Sequence, residues 1–200
     1  YLWFWLDNKI HTREHVNKLF NDIPFLGEIP FLGEEHQKKS ILLNIGTSRD
    51  SIIESFRMIL ANLNFTLFKA KGAITKIILV TSSVKGEGKT MIAANLANLL
   101  SSKNNKKVLL IGCDLRNPQL HKFFNLDKNT TGLTDYLSIN NNDLKYREYI
   151  HHAPKCTNAS DSLDVFFSGN IPPNPNMLLE SKKFQKLIED YLSKEYDYIV

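Results

Sequence analysis

Residues 82–90 have the sequence SSVKGEGKT, a glycine-rich turn that ends in Lys-Thr. An apolar, β-branched run (IILVT) precedes it at residues 77–81, and residues 91–100 place apolar side chains at helical spacing. A strand, a glycine-rich turn, Lys-Thr and a helix in this order are typical of a phosphate-binding loop. A surface turn that contains Gly-Lys-Thr by chance is the alternative, but it would lack the flanking elements. The pattern therefore predicts that this turn binds nucleotide phosphates.

The residue types in the turn suit this chemistry. Gly86 and Gly88 permit backbone conformations that a Cβ disfavours, and they let amide N–H groups approach phosphate oxygens. The helix that follows adds the positive end of its dipole. We expect Lys89 to reach the β- and γ-phosphates and the Thr90 hydroxyl to coordinate Mg²⁺. The first glycine of the G-x-x-x-x-G-K-[ST] pattern is replaced here by Ser83.

The composition is that of a globular α/β domain with a small additional segment. The chain has 200 residues, 42% hydrophobic and 23% charged, with a net charge of +4 and a pI near 8.9. This mild basic excess is typical of a solvated surface and would also suit an anionic membrane face, but no nucleic-acid motif accompanies it. The two cysteines are too few for a disulfide framework, which favours a reduced compartment, and the histidines show no zinc-ligand spacing with them.

The first 44 residues differ from the rest and are predicted to form a juxtamembrane segment and linker, with residues 45–200 as the phosphate-binding domain. No segment approaches the ~20 apolar residues of a membrane span. Residues 1–6 (YLWFWL) nevertheless run into basic residues, as at the cytoplasmic end of a membrane helix whose upstream part is missing here. A short amphipathic segment packed on the domain is the alternative. Residues 23–34 repeat IPFLGE twice, which predicts an extended linker or docking segment.

Strand and helix patterns alternate along the rest of the chain. In chain order they lie at 51–63 (helix), 77–81 (strand), 89–102 (helix), 108–111 (strand), 163–167 (strand), 181–194 (helix) and from 198 (strand). The stretch 121–162 is rich in asparagine, and irregular helices are expected there. This alternation predicts an α/β fold of the P-loop NTPase type, a parallel sheet flanked by helices that binds ligands at the C-terminal ends of its strands.

A second group of polar residues follows the strand at 108–111. Asp114 lies just past the C-terminal end of this strand, at the sheet edge where the phosphate loop also lies. A carboxylate there could hold Mg²⁺ or position a nucleophile for in-line phosphoryl transfer, although an aspartate after a strand is commonly a helix cap or turn residue. Arg116 is expected to contact phosphate or the acceptor, or instead to cap a helix or pair with Asp114.

Several motifs together resemble the cytoplasmic domain of bacterial tyrosine kinases, P-loop proteins related to the ParA/MinD ATPases. Residues 81–90 resemble the family's Walker A loop, and residues 108–118 resemble its Walker A′ segment. The sequence SGNIPPNP at 168–175, followed by two leucines, is similar to a highly specific stretch of the family. Residues 54–57 (ESFR) resemble the E-x-x-R helix that packs neighbouring subunits into a ring. The PFLG segment resembles the linker that follows a membrane domain.

The resemblance implies an ATP- and Mg²⁺-dependent protein-tyrosine kinase that regulates capsule or exopolysaccharide synthesis and export at the cytoplasmic face of the bacterial inner membrane. Implied partners are the polysaccharide polymerase and export machinery, the inner membrane, the tyrosine tail of neighbouring subunits, and further copies in a ring through Glu54 and Arg57. Nucleic acid is not among them. Lys89 and Asp114 would be catalytic, and Thr90 and Asp114 would hold the metal. The residues expected to contact ATP are Ser83, Lys85, Gly86, Glu87, Gly88, Lys89, Thr90, Met91 and Arg116.

Departures from the family pattern leave two alternatives open. Gly112 stands where the family usually has the first aspartate of D-x-D, and Leu60 replaces the second arginine of E-x-x-R-x-x-R. Val84 lies where ParA/MinD relatives carry a signature lysine, and Lys85 is offset from it by one, which counts against a loop of the ParA/MinD type. The Walker B aspartate and the tyrosine cluster are expected to follow Val200, so the sheet is expected to be truncated before that aspartate. The alternatives are a ParA/MinD-like ATPase switch and a non-catalytic, nucleotide-binding regulator of polysaccharide chain length.

Overall fold

A single five-stranded sheet organises the part of the chain that the computed structural model describes. That part comprises residues 13–20, 22–31, 42–43, 51–69, 75–102, 106–139, 145–154 and 159–200. The strands are β1 (Lys76–Ile77), β2 (Val108–Ile111), β3 (His151–His152), β4 (Leu163–Phe166) and β5 (Tyr198–Ile199). Their spatial order is β1-β5-β2-β4-β3, and all neighbours are parallel except β3, which pairs antiparallel with β4 at the edge. The predicted α/β fold is confirmed, and the antiparallel edge strand is an addition that the sequence patterns did not predict.

The helices of the described residues include the three that the sequence predicted, at positions close to the predicted ones. The described helices are α1 (Arg13–Leu19), α2 (Ser51–Lys69), α3 (Lys89–Ser102), α4 (Leu133–Ser138), α5 (Pro175–Leu179), α6 (Lys182–Lys186) and α7 (Ser193–Glu195). A π-helical segment, Leu187–Leu192, joins α6 to α7 without a break, and 3₁₀ turns occupy Leu120–Phe124 and Lys145–Tyr149. The helix predicted at 51–63 continues to residue 69, and the helix predicted at 89–102 has those bounds.

The two long helices α2 and α3 cover one face of the sheet. Helix α3 is buried from Ala94 to Ser101, because it lies between the sheet and the apolar side of α2. Two asparagines in this buried stretch are satisfied by backbone groups. Asn95 Oδ1 accepts from the Leu43 amide at 2.7 Å, and Asn98 Oδ1 accepts from the Ser160 amide at 3.0 Å. These bonds fix the helix that begins at the glycine-rich loop.

The other face of the sheet is covered unevenly. The helical stretch from α6 to α7 packs over β2 and β5, where Leu187 and Leu192 are fully buried. Lys183 ties this stretch to the C-terminal end of α4, since its Nζ donates to the carbonyl groups of Tyr136 at 2.5 Å and of Ile139 at 2.6 Å. No described element covers the end of β1 in the same way, and Leu79 is 83% exposed there.

Residues 22–31 form no helix or strand, and the middle of this stretch packs against α2. The Asn62 side chain donates to the Leu26 carbonyl at 2.7 Å, and the Leu26 side chain packs against the core. Gly27 approaches α2 so closely that a Cβ there would lie 2.7 Å from an isoleucine side-chain carbon. The first IPFLGE copy thus docks on the domain, whereas Phe31 of the second copy is 81% exposed.

The strand predicted at 77–81 forms over an earlier and shorter span. The Lys76 amide donates to the Asp197 carbonyl at 2.9 Å and the Ile78 amide to the Ile199 carbonyl at 2.8 Å. Beyond residue 78 the chain continues towards the glycine-rich loop with no ladder partner among the described residues. The strand was therefore predicted at the right place but with the wrong length. It is short because β5, its one neighbour among the described residues, pairs with it at two positions.

Among the described residues, no helix combines the length and the apolar character that crossing a membrane requires. The aromatic start at residues 1–6 and the end of the second IPFLGE copy lie outside the described residues. The predicted boundary between linker and domain, at residues 44 and 45, also lies outside them. These assignments stay predictions.

Candidate nucleotide-binding site

The glycine-rich loop has a left-handed backbone conformation at two of its glycines. Gly86 and Gly88 have φ angles of +93° and +87°, a region that residues with a Cβ rarely adopt. No atom lies within 4 Å of the position that a Cβ would take at either glycine, so the space beside the loop is open. The Ile92 amide donates to the Gly88 carbonyl at 2.9 Å, and α3 begins at Lys89. The loop therefore leads directly into the positive end of a long, buried helix.

The Lys89 side chain folds back over the start of its own loop. Its Nζ donates to Ser82 Oγ at 2.7 Å and to the Val84 carbonyl at 3.4 Å. Ser82 Oγ donates to the same carbonyl at 2.9 Å. These partners are uncharged, so the ammonium group can exchange them for phosphate oxygens by rotation of the lysine side chain.

Glu87 is the acidic residue of the loop, and its carboxylate also turns inward. Its Oε2 accepts from the Val84 amide at 3.2 Å. That amide above all, followed by the Ser82 hydroxyl, the Ser83 amide and the charge of Lys89, holds the pKa of the Glu87 carboxyl below its ordinary value. Glu87 is therefore ionised at neutral pH and adds a negative charge to the phosphate loop.

The second loop follows β2 and contains Asp114. One carboxylate oxygen, Oδ1, accepts from the Asn117 amide at 2.9 Å, which is the turn contact typical of an aspartate after a strand. The residue is exposed, so the other oxygen is accessible to a ligand. Arg116 does not pair with Asp114 here: its guanidinium donates to Asn176 Oδ1 at 3.1 Å. The metal-binding and turn interpretations of Asp114 are thus compatible.

One cavity of about 740 Å³ joins the two loops, a size typical of small-molecule sites. Lys89 and Thr90 line it from one side and Asp114 from the other, and apolar side chains of β1, β2 and β5 form its floor. Strand β5 lies between β1 and β2, so the two loops meet across its end. The other expected ATP contacts lie outside the wall of this cavity: Ser83, Lys85, Gly86, Glu87, Gly88, Met91 and Arg116.

Proteins of known kind are similar to the chain over most of its length, although no protein-family model matches it. The tyrosine-protein kinase Wzc of Salmonella typhi is 34% identical over 84% of this chain and 21% of its own length. The crystal structure of the chimerical protein CapA2B2 is 34% identical, with a TM-score of 0.73, over 94% of this chain and 73% of that one. The kinase domain of the Escherichia coli tyrosine kinase ETK is 25% identical, with a TM-score of 0.77, over 94% and 70%.

The chain belongs to the bacterial tyrosine kinase family. The family resemblance of the sequence motifs is therefore confirmed. This bacterial tyrosine kinase chain spans about a fifth of the length of Wzc, so its similarity covers one part of that protein.

Gly112, where bacterial tyrosine kinases usually have an aspartate, is tightly enclosed in this chain. Ser168 Oγ donates to the Gly112 carbonyl at 2.7 Å, which ties the ends of β2 and β4 together. A Cβ at position 112 would lie 2.7 Å from that same Oγ and 3.3 Å from a Leu120 methyl group. A larger side chain would therefore require Ser168 to move. The hydrogen bond between Ser168 and the Gly112 carbonyl occupies space that an aspartate at position 112 would need.

Sequence reasoning missed the residues that hold the SGNIPPNP segment of this chain. Asp135 accepts from the Gly132 amide and from Asn170 Nδ2, both at 2.8 Å, and Thr134 Oγ1 donates to the Asn170 carbonyl at 2.7 Å. Gly169 supplies the left-handed turn, with a φ of +80°. The available signal was an aspartate three residues after Gly132, the N-terminal pattern of a capped helix.

Cys113 is the nucleophilic side chain between Gly112 and Asp114, and it lines the cavity. Although the residue is exposed, neighbouring protein atoms desolvate the sulfur and raise the pKa of the thiol to about 11. The thiol is protonated at neutral pH. We therefore assign no chemical role to Cys113.

Proposed function

We propose that this chain is the ATP-dependent catalytic domain of a protein-tyrosine kinase that phosphorylates itself and regulates capsule or exopolysaccharide synthesis and export. The observation that carries the proposal is the cavity shared by the glycine-rich loop and the Asp114 loop. A phosphate-binding loop and a metal-binding carboxylate on one edge of a sheet are two of the parts that phosphoryl transfer uses. Family membership and the names of the similar kinases support the same reaction.

The residues of the site fit ATP and Mg²⁺. The open space at Gly86 and Gly88 leaves room for phosphate against the loop amides, and the start of α3 favours negative charge there. In the proposal, Lys89 leaves Ser82 and binds the β- and γ-phosphates, where it stabilises charge during transfer. Bound Mg²⁺ would offset the phosphate charge, held by the hydroxyl of Thr90 and the carboxylate of Asp114.

Lys89→Met tests this proposal, because it removes the ammonium group and keeps the length of the side chain. We expect autophosphorylation of the full-length protein, measured with an antibody against phosphotyrosine, to fall by at least about a hundredfold. Lys145→Met is the matched control, since Lys145 is exposed on a 3₁₀ turn and lies outside the cavity wall. Undiminished phosphotyrosine in the Lys89 variant would overturn the assignment.

An ATPase switch of the ParA/MinD type is the second candidate, and Gly112 favours it. The residue lacks the carboxylate that would activate a tyrosine, and its close contact with Ser168 leaves little room for one. Release of inorganic phosphate from ATP without any phosphotyrosine would support the switch. Nucleotide binding with neither phosphate release nor transfer would support the third candidate, a non-catalytic regulator of polysaccharide chain length.

We further infer that copies of the chain associate through the outer side of α2. Glu54 and Arg57 form an ion pair on that side, and Met58 is 55% exposed beside them. Leu60, at the position of the missing arginine, is 1% exposed and packs in the core, so it is not available to a neighbouring subunit. The subunit contact in this proposal therefore relies on the first two motif residues and on the exposed Met58 side chain.

The remaining partners are also part of the proposal. The proposed position of the chain is next to the inner membrane, on its cytoplasmic face, and the linker-like residues 22–31 and the aromatic residues 1–6 support it. The proposed acceptor is the tyrosine tail of a neighbouring subunit. The polysaccharide polymerase and export machinery are the proposed targets of regulation. Fractionation of the full-length protein, together with capsule measurements for the Lys89→Met strain, tests both statements. Full-length protein in the soluble fraction or a normal capsule would contradict them.

A further inference from the structure

The glycine-rich loop contains its own anion. The Glu87 carboxylate accepts a hydrogen bond from the Val84 amide at 3.2 Å. The Ser82 hydroxyl, the Ser83 amide and the charge of Lys89 also stabilise its ionised form. All these groups belong to the loop that is shaped to hold phosphate. A carboxylate of the chain therefore shares the donor groups and the positive charge of the phosphate loop.

The Lys89 ammonium group also uses groups of this loop as its partners. It donates to Ser82 Oγ at 2.7 Å and to the Val84 carbonyl at 3.4 Å. The backbone of Val84 thus contacts both charged side chains of the loop, since its amide donates to Glu87 and its carbonyl accepts from Lys89. When Lys89 moves onto a phosphate, Glu87 loses the nearby positive charge and gains a negative neighbour.

We propose that Glu87 tunes nucleotide affinity, because its carboxylate opposes phosphate in the loop and so favours nucleotide whose charge is offset by a divalent cation. The inference rests on the proposed nucleotide-binding function and adds a regulatory role for one side chain of the same site. Repulsion between like charges in one exposed loop is modest, and it weakens further when salt or a bound cation screens it. Metal-free ATP carries more negative charge than the Mg²⁺ complex and is opposed more strongly.

Glu87→Gln tests the inference, because glutamine keeps the size of the side chain and an oxygen acceptor for the Val84 amide but carries no charge. We expect the Kd of metal-free ATP, measured by calorimetry on the purified chain at low salt, to fall about three- to fivefold. With Mg²⁺ present, or at high salt, we expect the Kd for ATP to fall by less than about twofold, a change that calorimetry barely detects. Glu180→Gln makes the same charge change outside the loop, at an exposed residue, and should leave the Kd unchanged.

Each other result contradicts a specific statement. If the wild type binds ATP and the Glu87 variant binds it equally or more weakly, Glu87 braces the loop and the inference is wrong. An equal increase in ATP affinity with and without Mg²⁺ also overturns the inference, and so does an equal increase in Glu180→Gln. Either result would mean that the increase does not come from removing a charge inside the loop. If no protein binds ATP under any condition, the nucleotide-binding function itself fails, and the inference fails with it.

Discussion

The two loops that meet at the cavity are built in opposite ways. In the glycine-rich loop, Lys89 bonds to a residue seven positions away and Glu87 to one three positions away. In the aspartate loop, Gly112 is bonded to a residue 56 positions away and Arg116 to one 60 positions away. The first loop holds its shape through its own residues, whereas the second is positioned by a residue just after β4 and by the first turn of α5. We therefore expect the first to control binding and the second to depend on the fold for its activity.

Asp114→Asn is expected to have the largest effect, because it separates phosphotransfer from ATP binding. The amide keeps the turn contact with Asn117 but is a poorer ligand for Mg²⁺, so we expect phosphotransfer to fall about a hundredfold or more. ATP affinity should change by less than about tenfold, since the glycine-rich loop supplies the phosphate contacts. Steady-state kinetics and calorimetry separate these two effects.

Asp161→Asn, at an exposed turn residue, is the control for the aspartate loop. If Asp114→Asn abolished ATP binding as well as transfer, the proposed separation between a binding loop and a metal loop would be wrong.

Gly112→Asp has an intermediate expected effect and tests how tightly the aspartate loop is packed. The new Cβ would lie 2.7 Å from Ser168 Oγ, so we expect the free energy of unfolding to fall by about 1–3 kcal/mol. Ser168→Ala alone should cost about 1 kcal/mol through the lost hydrogen bond to the Gly112 carbonyl. The double variant should be more stable than the sum of the single effects predicts.

Urea unfolding of the wild type and the three variants measures this coupling. Strictly additive losses would show that Ser168 does not exclude the family's aspartate. Phosphotyrosine formation by the double variant then shows whether a carboxylate at position 112 increases activity.

Asn176→Ala is expected to have the smallest effect. Its side chain accepts from Arg116 at 3.1 Å on an exposed surface, so removal should raise the KM for ATP by no more than about threefold. The same change in an Arg116→Ala background should add little if the two residues act as a pair. Fully additive changes in KM would mean that Arg116 reaches nucleotide without help from Asn176 in α5.

The contrast between the loops also explains what could be predicted from the sequence. The glycine-rich loop and α3 were predicted correctly because spacing within one short stretch determines their conformation. The position of β5 between β1 and β2 could not be predicted, since nothing in residues 198–199 specifies their neighbours. The bond between Ser168 and Gly112 was missed for the same reason. Residues 151–152 form an antiparallel strand that is too short for any alternating pattern to indicate.

The position of β5 has a consequence for how the protein folds. The Thr75 hydroxyl, just before β1, donates at 2.7 Å to the carbonyl of Tyr196, just before β5, and 121 positions separate the two residues. During synthesis the ribosome must therefore complete most of this chain before β1 can pair with β5. Pairing over such sequence separations is slow. Until then the edges of β1 and β2 have no β5 to pair with and present a hazard for aggregation. A nascent chain that stops before residue 198 should contain the whole glycine-rich loop and yet lack a working nucleotide site.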